Sequence, residues 1–284
     1  MRPQTRWMWL VTACGAVLLL GGAATAPAQE THVGSLTGHA ASGKPLYTRY
    51  CAGCHGDDGD AQGENAQWID PKPRDFTMAT FKCRSTPSGS LPTDQDLFNS
   101  LERGFVTTNM PSWVALTPQN RIDLVSYIKT FSPRWRKAQA GKPIAIPPEP
   151  APTIQSILHG RELFQRMECW KCHGPAGHGD GPSAHDLTDN KDNPIRPYDF
   201  QTGSRFMCGT TNEDLYRIFM TGLDGSPMPS FDDQLKPAEA WDLVHFLRTF
   251  QPLQTRESVI WRTWFSTHGR ELKPIGPEGG GGGQ

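Results

Sequence analysis

One pattern of residues occurs twice along the chain, and this duplication limits the possible fold more than any other feature of the sequence. Cys51–Gly56 is matched by Cys169–Gly174, Met110–Trp113 by Met228–Phe231, and Asp123–Phe131 by Asp242–Phe250. Matched positions lie between 117 and 125 residues apart. The repeat predicts two tandem copies of one domain, and 284 residues are enough for each copy to bury a core of its own.

The first 28 residues lie outside the repeat and have the layout of an export signal. Arg2 and Arg6 precede the uncharged apolar stretch Trp7–Ala24, and Ala26–Ala28 is a run of small residues. This order predicts a secretory signal peptide, residues 1–28, that is cleaved after Ala28. Two alternatives stay open: an uncleaved membrane anchor, or a lipoprotein modified at Cys14.

The charge of the chain argues against nucleic acid as a partner. The formal net charge is −1, and removal of residues 1–28 takes away two arginines and no acidic residue, which leaves −3. Nucleic-acid binding needs a concentrated basic face, and the sequence has no long run of one charge sign. No other stretch is apolar enough to cross a bilayer, so a membrane is expected only as a docking surface unless the N-terminal segment anchors the chain.

Proline and glycine mark the expected domain boundaries. Residues 139–154 contain five prolines, which remove backbone donors and favour extended conformations, so they predict a semi-rigid linker. The closing run of glycines predicts a disordered tail. The expected organisation is a first domain over residues 38–138, the linker over 139–154, a second domain over 155–254 and a C-terminal extension over 255–284.

Both copies carry the start signals of helices and few alternating strand patterns. Thr93–Asp96 and Thr211–Asp214 have the spacing of an N-cap and an acidic third helical residue. Pro118 and Pro237 are each followed by apolar residues at helical spacing, as is typical of proline at the first position of a helix. The sequence therefore predicts an all-α fold class for each domain.

Each copy contains the spacing C-x-x-C-H, which is the signature of covalent haem attachment. Two thiols at this spacing reach the two vinyl groups on one porphyrin edge, and the next histidine lies beneath the iron as its proximal ligand. A redox dithiol or half a zinc site is the alternative, but zinc needs two further Cys or His ligands, and a glycine-rich loop follows each motif. The motifs predict two covalently bound haem c groups. The cysteines are Cys51, Cys54, Cys169 and Cys172, and the histidines are His55 and His173.

A methionine follows each of these histidines at a constant distance. Met110 lies 55 residues after His55 and Met228 lies 55 residues after His173, although residues are inserted and deleted between them. Methionine usually packs in a core, but the constant spacing favours axial ligation of the iron. A thioether favours ferrous iron, so His/Met ligation predicts two haems of raised reduction potential.

Two arginines in corresponding loops are candidate partners of haem propionates. Arg74 precedes Asp75 and Phe76, and Arg196 lies just before the matching pair at positions 199 and 200. A guanidinium group binds carboxylates in a bidentate manner. An exposed arginine on a loop is the alternative, and the sequence leaves both interpretations open.

Each half resembles a class I cytochrome c domain: an N-terminal helix, C-x-x-C-H, a loop, Met-Pro and a C-terminal helix. The resemblance covers about residues 40–133 and 156–252, and the tandem resembles the dihaem cytochromes of bacterial respiratory chains. It implies a few helices wrapped round each haem, with a glycine and aromatic residues where the terminal helices cross. These residues are Gly43, Tyr47 and Tyr127 in the first copy and Gly160, Phe164 and Phe246 in the second.

Cys83 and Cys208 occupy matching positions outside the C-x-x-C-H motifs. An oxidising compartment favours a disulfide, here one between the two domains. Two other hypotheses stay open: a pair of buried free thiols, or ligation of one haem by one of these cysteines, as in thiosulfate-oxidising dihaem enzymes.

The motifs and the resemblance together predict a periplasmic dihaem cytochrome c that transfers single electrons between respiratory redox partners. The expected partners are a membrane respiratory complex, a terminal oxidase or reductase, or a molybdenum enzyme. No nucleophile–base arrangement is evident in the sequence, so no catalytic residue is assigned. The alternative is a dihaem oxidoreductase, of thiosulfate-oxidising or peroxidase type, with one catalytic haem.

Overall fold

The structure is a computed structural model that describes residues 30–202, 205–251 and 255–277. The described part is mostly helical, as the sequence predicts, and the predicted signal peptide and the end of the glycine tail lie outside it. Its elements in chain order are β1 (Thr31–Val33), β2 (Leu36–Gly38), α1 (Ala40–Tyr50), α2 (Ala52–His55), α3 (Asp94–Arg103), α4 (Pro118–Lys129), α5 (Arg134–Lys137), α6 (Ile154–Arg166), α7 (Trp170–His173), α8 (Asn212–Thr221), α9 (Pro237–Thr249) and α10 (Arg256–His268), with four short 3-10 turns at Ala66–Trp68, Ala184–Asp186, Phe200–Thr202 and Gly269–Glu271.

The same helix crossing organises both domains: α1 packs on α4, and α6 packs on α9. A glycine lies at each crossing because the backbones are too close for a side chain. A Cβ atom added at Gly43 would lie 2.1 Å from the backbone oxygen of Asp123, and one at Gly160 would lie 2.0 Å from that of Asp242. The predicted aromatic residues meet beside these glycines; the ring of Tyr47, for example, lies 5.2 Å from that of Tyr127, centroid to centroid.

The predicted helix starts are confirmed. Thr93 caps α3 and Thr211 caps α8, each through a reciprocal capping box with the aspartate three residues later. Pro118 and Pro237 are the first residues of α4 and α9. The corresponding helices therefore begin at matching positions in the two copies.

Each domain buries a hydrophobic cluster of its own. In the first, Tyr47 and Ile122 are almost completely buried between α1 and α4. In the second, Phe164 and Trp241 occupy the corresponding space between α6 and α9. The two separate cores agree with the tandem duplication predicted from the sequence, because each domain packs around a core of its own.

Two elements go beyond the helices expected from the sequence. The antiparallel hairpin of β1 and β2 packs on α4 of the first domain. Helix α10 lies within the predicted C-terminal extension and packs on α6 and α9. Within the described residues neither has a counterpart in the other copy, so the duplication did not reveal them.

The proline-containing segment between α5 and α6 is hydrogen-bonded to both domains. The backbone nitrogen of Ile144 donates to the oxygen of Ser85 (2.8 Å) in the first domain. The indole nitrogen of Trp241 in the second domain donates to the backbone oxygen of Pro147 (3.2 Å). Because proline lacks a backbone donor, its carbonyl oxygen is the group through which such a segment accepts bonds from its surroundings.

Candidate haem sites and the link between them

The histidine of each C-x-x-C-H motif ends a single-turn helix and is oriented by a backbone carbonyl group far along the chain. Nδ1 of His55 lies 2.9 Å from the backbone oxygen of Arg74, and Nδ1 of His173 lies 3.1 Å from that of Tyr198. A carbonyl oxygen can only accept, so Nδ1 carries the hydrogen in both rings. The other ring nitrogen, Nε2, is therefore the one that can ligate a metal.

An aromatic ring packs against each histidine. The rings of His55 and Phe76 are stacked with centroids 4.4 Å apart, and those of His173 and Phe200 are 4.9 Å apart. Burial lowers the pKa of both imidazoles below their ordinary value, an effect larger than the opposing effect of the carbonyl bond. Both rings are thus neutral near pH 7, and neutral imidazole is the form that ligates iron.

The four motif cysteines form no disulfides, although two cysteines at this spacing often form one in redox proteins. Burial raises the pKa of Cys51 to about 12 and that of Cys169 to about 12, so both thiols are protonated before haem is attached. No cluster of three or more His, Cys, Asp or Glu in metal-binding geometry occurs among the described residues. A pair of free thiols beside a tautomerically fixed imidazole fits covalent haem attachment.

The two methionine loops have the same backbone architecture. A glycine of positive φ, Gly104 or Gly222, ends the preceding helix, and a Cβ atom there would lie within 2.7 Å of the backbone of the Met-Pro-Ser segment. The next residue, Phe105 or Leu223, donates its backbone N–H to the oxygen of the methionine. Met110 and Met228 are both half-buried and pack against the core of their own domain. Their ligation of iron remains a prediction.

Arg74 and Lys82 form a partly buried cationic pair in the first domain. Burial and the positive charge of Arg74 lower the pKa of Lys82 to about 8. Burial also lowers the pKa of Arg74, against the effect of carboxylates that include Asp189 of the second domain. Two cations held close together in a partly dry place fit a haem propionate, since an anion would relieve their repulsion. The sequence analysis did not single out Lys82, and its repeat partner is Met207, so the duplication carried no signal for it.

Arg196 differs from Arg74 in its surroundings. Its side chain is exposed, whereas Arg74 is half-buried between the domains. Tyr198, two residues after Arg196, takes the place of Arg74 as the acceptor for the histidine. The two copies share the backbone carbonyl group of this position, which is available whatever the side chain.

Cys83 and Cys208 form a disulfide between the two domains, with Cα atoms 5.2 Å apart. This confirms one of the three hypotheses left open by the sequence. Both sulfurs are used by the bond, so neither is available to ligate iron while it is intact. The domains are therefore covalently joined at matching positions of the repeat.

An ion pair between the domains involves Arg84, the residue next to Cys83. The side chain of Arg84 is fully buried and lies 2.8 Å from the carboxylate of Asp224 in the second domain. Asp224 also accepts hydrogen bonds from the hydroxyl of Ser88 (3.1 Å) and the backbone nitrogen of Gly89 (3.0 Å). The interface thus combines one covalent bond with a carboxylate that is almost completely satisfied.

A second ion pair crosses the interface beside the first histidine. Lys191 of the second domain pairs with Asp75 of the first, the residue next to Arg74. Burial raises the pKa of Asp75, but hydrogen bonds from Lys191 and Thr77 outweigh this effect and hold the pKa below its ordinary value. The carboxylate is therefore charged at neutral pH. The Lys191–Asp75 pair connects the second domain to the loop that orients His55.

A helical domain with C-x-x-C-H, a carbonyl-oriented histidine and a Met-Pro loop, present twice, defines a c-type cytochrome with two haem sites. The family model for cytochrome c matches the chain twice, over residues 40–132 and 157–251. The chain belongs to the cytochrome c family, and its two domains bind two covalently attached c-type haems.

The comparison with solved structures supports the tandem arrangement. The chain is similar to a chain of the reducing HAO-like protein complex of Kuenenia stuttgartiensis, with 40% sequence identity and a TM-score of 0.72. The similarity covers 74% of this chain and 96% of that chain. No curated protein matches the sequence.

Proposed function

We propose that the protein is a periplasmic carrier of single electrons between redox proteins. The observation that carries this proposal is the identical construction of the two methionine loops. In both, a helix-ending glycine and the hydrogen bond to the methionine oxygen hold the backbone of the methionine against the end of the preceding helix. A loop built in this way would give both haems the same sixth ligand.

Haem iron supplies reversible one-electron chemistry when bound. The residues of the chain would have two tasks beside it: His55 and His173 would offer Nε2 to the iron, and Met110 and Met228 would offer their thioether sulfurs. Aromatic residues such as Phe76 and Phe200 exclude water from the histidine side. A closed, dry site changes little in structure between oxidation states, which favours fast electron transfer over binding of a small substrate.

The two domains would work as one unit. The interdomain disulfide and the Arg84–Asp224 pair hold them in one arrangement, so an electron accepted by one domain can pass to the other without a diffusive search. Lys191 with Asp75 ties the loop behind the first histidine to the second domain. These contacts support a carrier with separate points of entry and exit.

A redox titration of the haem-loaded protein with optical and electron-spin-resonance detection tests the proposal. Two low-spin haems, both with the weak sulfur-to-iron charge-transfer band in the ferric state, are expected. A high-spin signal at one haem together with turnover of peroxide or thiosulfate would instead favour the dihaem oxidoreductase. Ligation by Cys83 or Cys208, which such an enzyme could use, requires the disulfide to be broken.

A second candidate is an electron-transfer subunit of an enzyme complex, because the similar chain from Kuenenia stuttgartiensis belongs to a HAO-like protein complex. The chemistry would be the same, but the partner would be permanent. Purification at low and high salt distinguishes the two: a carrier elutes alone under both conditions, whereas a subunit co-purifies with a stoichiometric partner. The described residues include no helix that could cross a membrane, and export through the predicted signal peptide would bring the protein to the periplasm.

A further inference from the structure

The second copy of the repeat contains six residues that the first copy lacks in one segment. Asp75 lies seven residues after Trp68, where the 3-10 turn of the first domain ends. The matching Asp199 lies 13 residues after Asp186, where the corresponding turn of the second domain ends. The extra length forms a loop over residues 188–194, which we call the inserted loop.

The inserted loop is ordered by its own hydrogen bonds. One carboxylate oxygen of Asp189 accepts from the backbone nitrogens of Lys191 (2.9 Å) and Asn193 (3.0 Å). The backbone nitrogen of Asp189 donates to the oxygen of Asn193 (2.9 Å), which closes the loop. An aspartate that bonds to backbone groups two and four residues ahead fixes a turn. The tip of the loop, with Lys191, therefore has a defined position.

This tip contacts the first domain. The ammonium group of Lys191 pairs with the carboxylate of Asp75 and donates to the backbone oxygen of Asp60 (3.4 Å). The side-chain amide of Asn190 donates to the sulfur of Met78 (3.6 Å). Among the described residues, Asp75 is the one carboxylate within ion-pair distance of Lys191. The insertion thus brings a lysine of the second domain to one particular aspartate of the first.

Asp75 lies between the two residues that hold His55. The backbone oxygen of Arg74 is 2.9 Å from Nδ1 of the histidine, and the ring of Phe76 is stacked on the imidazole. The side chain of Asp75 is only 7% exposed, and it also accepts from the backbone nitrogen (2.8 Å) and the hydroxyl (2.6 Å) of Thr77. A carboxylate buried to this extent needs a compensating cation, and Lys191 supplies it.

The second domain provides an internal comparison. Asp199 likewise lies between Tyr198 and Phe200, which contact His173 in the same two ways. The side chain of Asp199 is 34% exposed, and its ionisable neighbour is the half-exposed imidazole of His178, 3.6 Å away in the same domain. Within the described ranges no lysine or arginine lies within ion-pair distance of Asp199. Only the first of the two matched aspartates is therefore covered by a lysine of the other domain.

The charges of the two domains differ in the same direction. Residues 38–138 contain 12 Lys+Arg and 10 Asp+Glu, whereas residues 155–254 contain nine and 14. Lys191 belongs to the acidic domain but places its charge on the more basic one. Positive charge near a haem stabilises ferrous iron, and negative charge stabilises ferric iron. Both the pair and the overall charge therefore favour a higher reduction potential in the first domain.

We propose that Lys191 is a positioning residue for the first haem: it neutralises Asp75, holds it between the two residues that orient His55, and so raises the reduction potential of this haem relative to the second. The inference rests on the proposed function, because the order of the two potentials matters to a protein that passes electrons between its haems. Electrons that enter through the second domain would then collect in the first.

The test is a spectroelectrochemical titration of the full-length, haem-loaded protein and its variants. Lys191→Met removes the charge, and Lys191→Arg keeps a charged donor for Asp75. Lys142→Met, at an exposed lysine of the proline-containing segment, is the matched control for net charge. Cys51→Ala with Cys54→Ala prevents attachment of the first haem, so it identifies the titration step of the second. Haem content and helix content are measured for each variant.

Lys191→Met should lower the equilibrium constant for reduction of the first haem by about threefold to tenfold, because Asp75 becomes an unpaired carboxylate that favours ferric iron. The second haem should change by less than about twofold, as should both haems in Lys191→Arg and Lys142→Met. A lysine that only joined the domains would affect stability and leave the difference between the two potentials unchanged.

A second comparison tests whether Lys191 acts through Asp75. In Asp75→Asn no carboxylate holds the lysine, whose side chain is 39% exposed in the wild-type protein and is free to extend into solvent, where its charge is screened. Addition of Lys191→Met to Asp75→Asn should therefore change the equilibrium constant of the first haem by less than about twofold.

Three results would overturn the proposal: a first haem that Lys191→Met leaves within about twofold of wild type, an equal shift of both haems, or a full effect of Lys191→Met in the Asp75→Asn background. The wild-type spectra test the carrier function separately. A high-spin haem with turnover of peroxide or thiosulfate would refute the carrier, whereas two low-spin haems without a selective shift in Lys191→Met would refute only the role of Lys191.

Discussion

At the scale of single residues, the histidine sites depend on groups that are distant in the sequence. His55 is oriented by the backbone oxygen of Arg74, 19 positions away, and His173 by that of Tyr198, 25 positions away. The bond fixes the tautomer, and burial keeps the ring neutral. Both effects prepare Nε2 for the iron before any ligand arrives, which reduces the cost of ordering the site on binding.

Replacement of the predicted methionine ligand tests the most important residue prediction. Met110→Ala should remove the sulfur-to-iron charge-transfer band of one haem and lower its reduction potential by on the order of 100 mV, because a thioether stabilises ferrous iron. Optical and electrochemical titration measures both. Met78→Leu, at an exposed methionine, is the control and should leave both haems as they are. An unchanged spectrum for Met110→Ala would refute ligation by this residue.

The cationic pair of the first domain leads to a second residue-scale prediction. Lys82→Met removes a positive charge beside Arg74, so it should stabilise the ferric state and lower the potential of the first haem. The effect should be on the order of 1 kcal/mol, or several tens of millivolts. Lys44→Met, at an exposed lysine on α1, serves as the control. An equal shift of the reduction potential in both variants would mean that Lys82 acts only through the net charge of the protein.

At the scale of elements, the helix crossings carry the fold of each domain. Gly43 allows α1 to approach α4 closely enough for Tyr47 to contact Tyr127 and Phe131, whose ring centroids lie 5.2 and 5.0 Å from its own. The same arrangement in the second domain uses Gly160 on α6. Helix starts follow from capping residues within one turn, whereas the crossing depends on the absence of a side chain opposite a particular carbonyl group.

A methyl group at the crossing should separate the helices. Gly43→Ala would place Cβ 2.1 Å from the backbone oxygen of Asp123, and backbone cannot move aside as a side chain can. The expected loss is about 3 kcal/mol in the free energy of unfolding, at the upper end of overpacking costs. Chemical denaturation of the haem-loaded protein measures it. Ser42→Ala, at the exposed neighbour on the same helix, should cost less than about 0.5 kcal/mol.

At the scale of the whole molecule, the contacts between the domains decide whether two cytochrome units act separately or together. The disulfide lies beside the buried Arg84–Asp224 pair, and Lys191 with Asp75 contributes a second contact. The proline-containing segment bonds to both domains and so adds to the same arrangement. The two cysteines occupy matching positions of the repeat, but every one of these contacts needs both copies.

Removal of the disulfide tests this arrangement. Cys83→Ser with Cys208→Ser opens a loop of 125 residues, which should lower the free energy of unfolding by about 5 kcal/mol in the chain-entropy account. Denaturation curves of wild type with and without reductant should show the same loss, whereas reductant should not affect the double variant. Each domain should keep its haem and its spectrum. Loss of one haem would mean that the disulfide supports a site and not only the interface.

The amino-acid sequence by itself determined the number of domains, the starts of the main helices and the two haem-attachment motifs. These features are local: a cap acts within one turn, and C-x-x-C-H places thiols and imidazole within five residues. Duplication added the methionines, because a spacing kept at 55 residues in both copies can be read without coordinates. Their role as ligands remains to be measured.

Only the tertiary structure decided the features that join distant parts of the chain. Thiol pairing of Cys83 and Cys208 depends on their Cα atoms coming within 5.2 Å across 125 residues, and composition leaves that pairing open. A backbone carbonyl that orients a histidine has no side-chain signature. Exposure is likewise decided by packing: tryptophan is usually well buried, yet the side chain of Trp68 is 81% exposed.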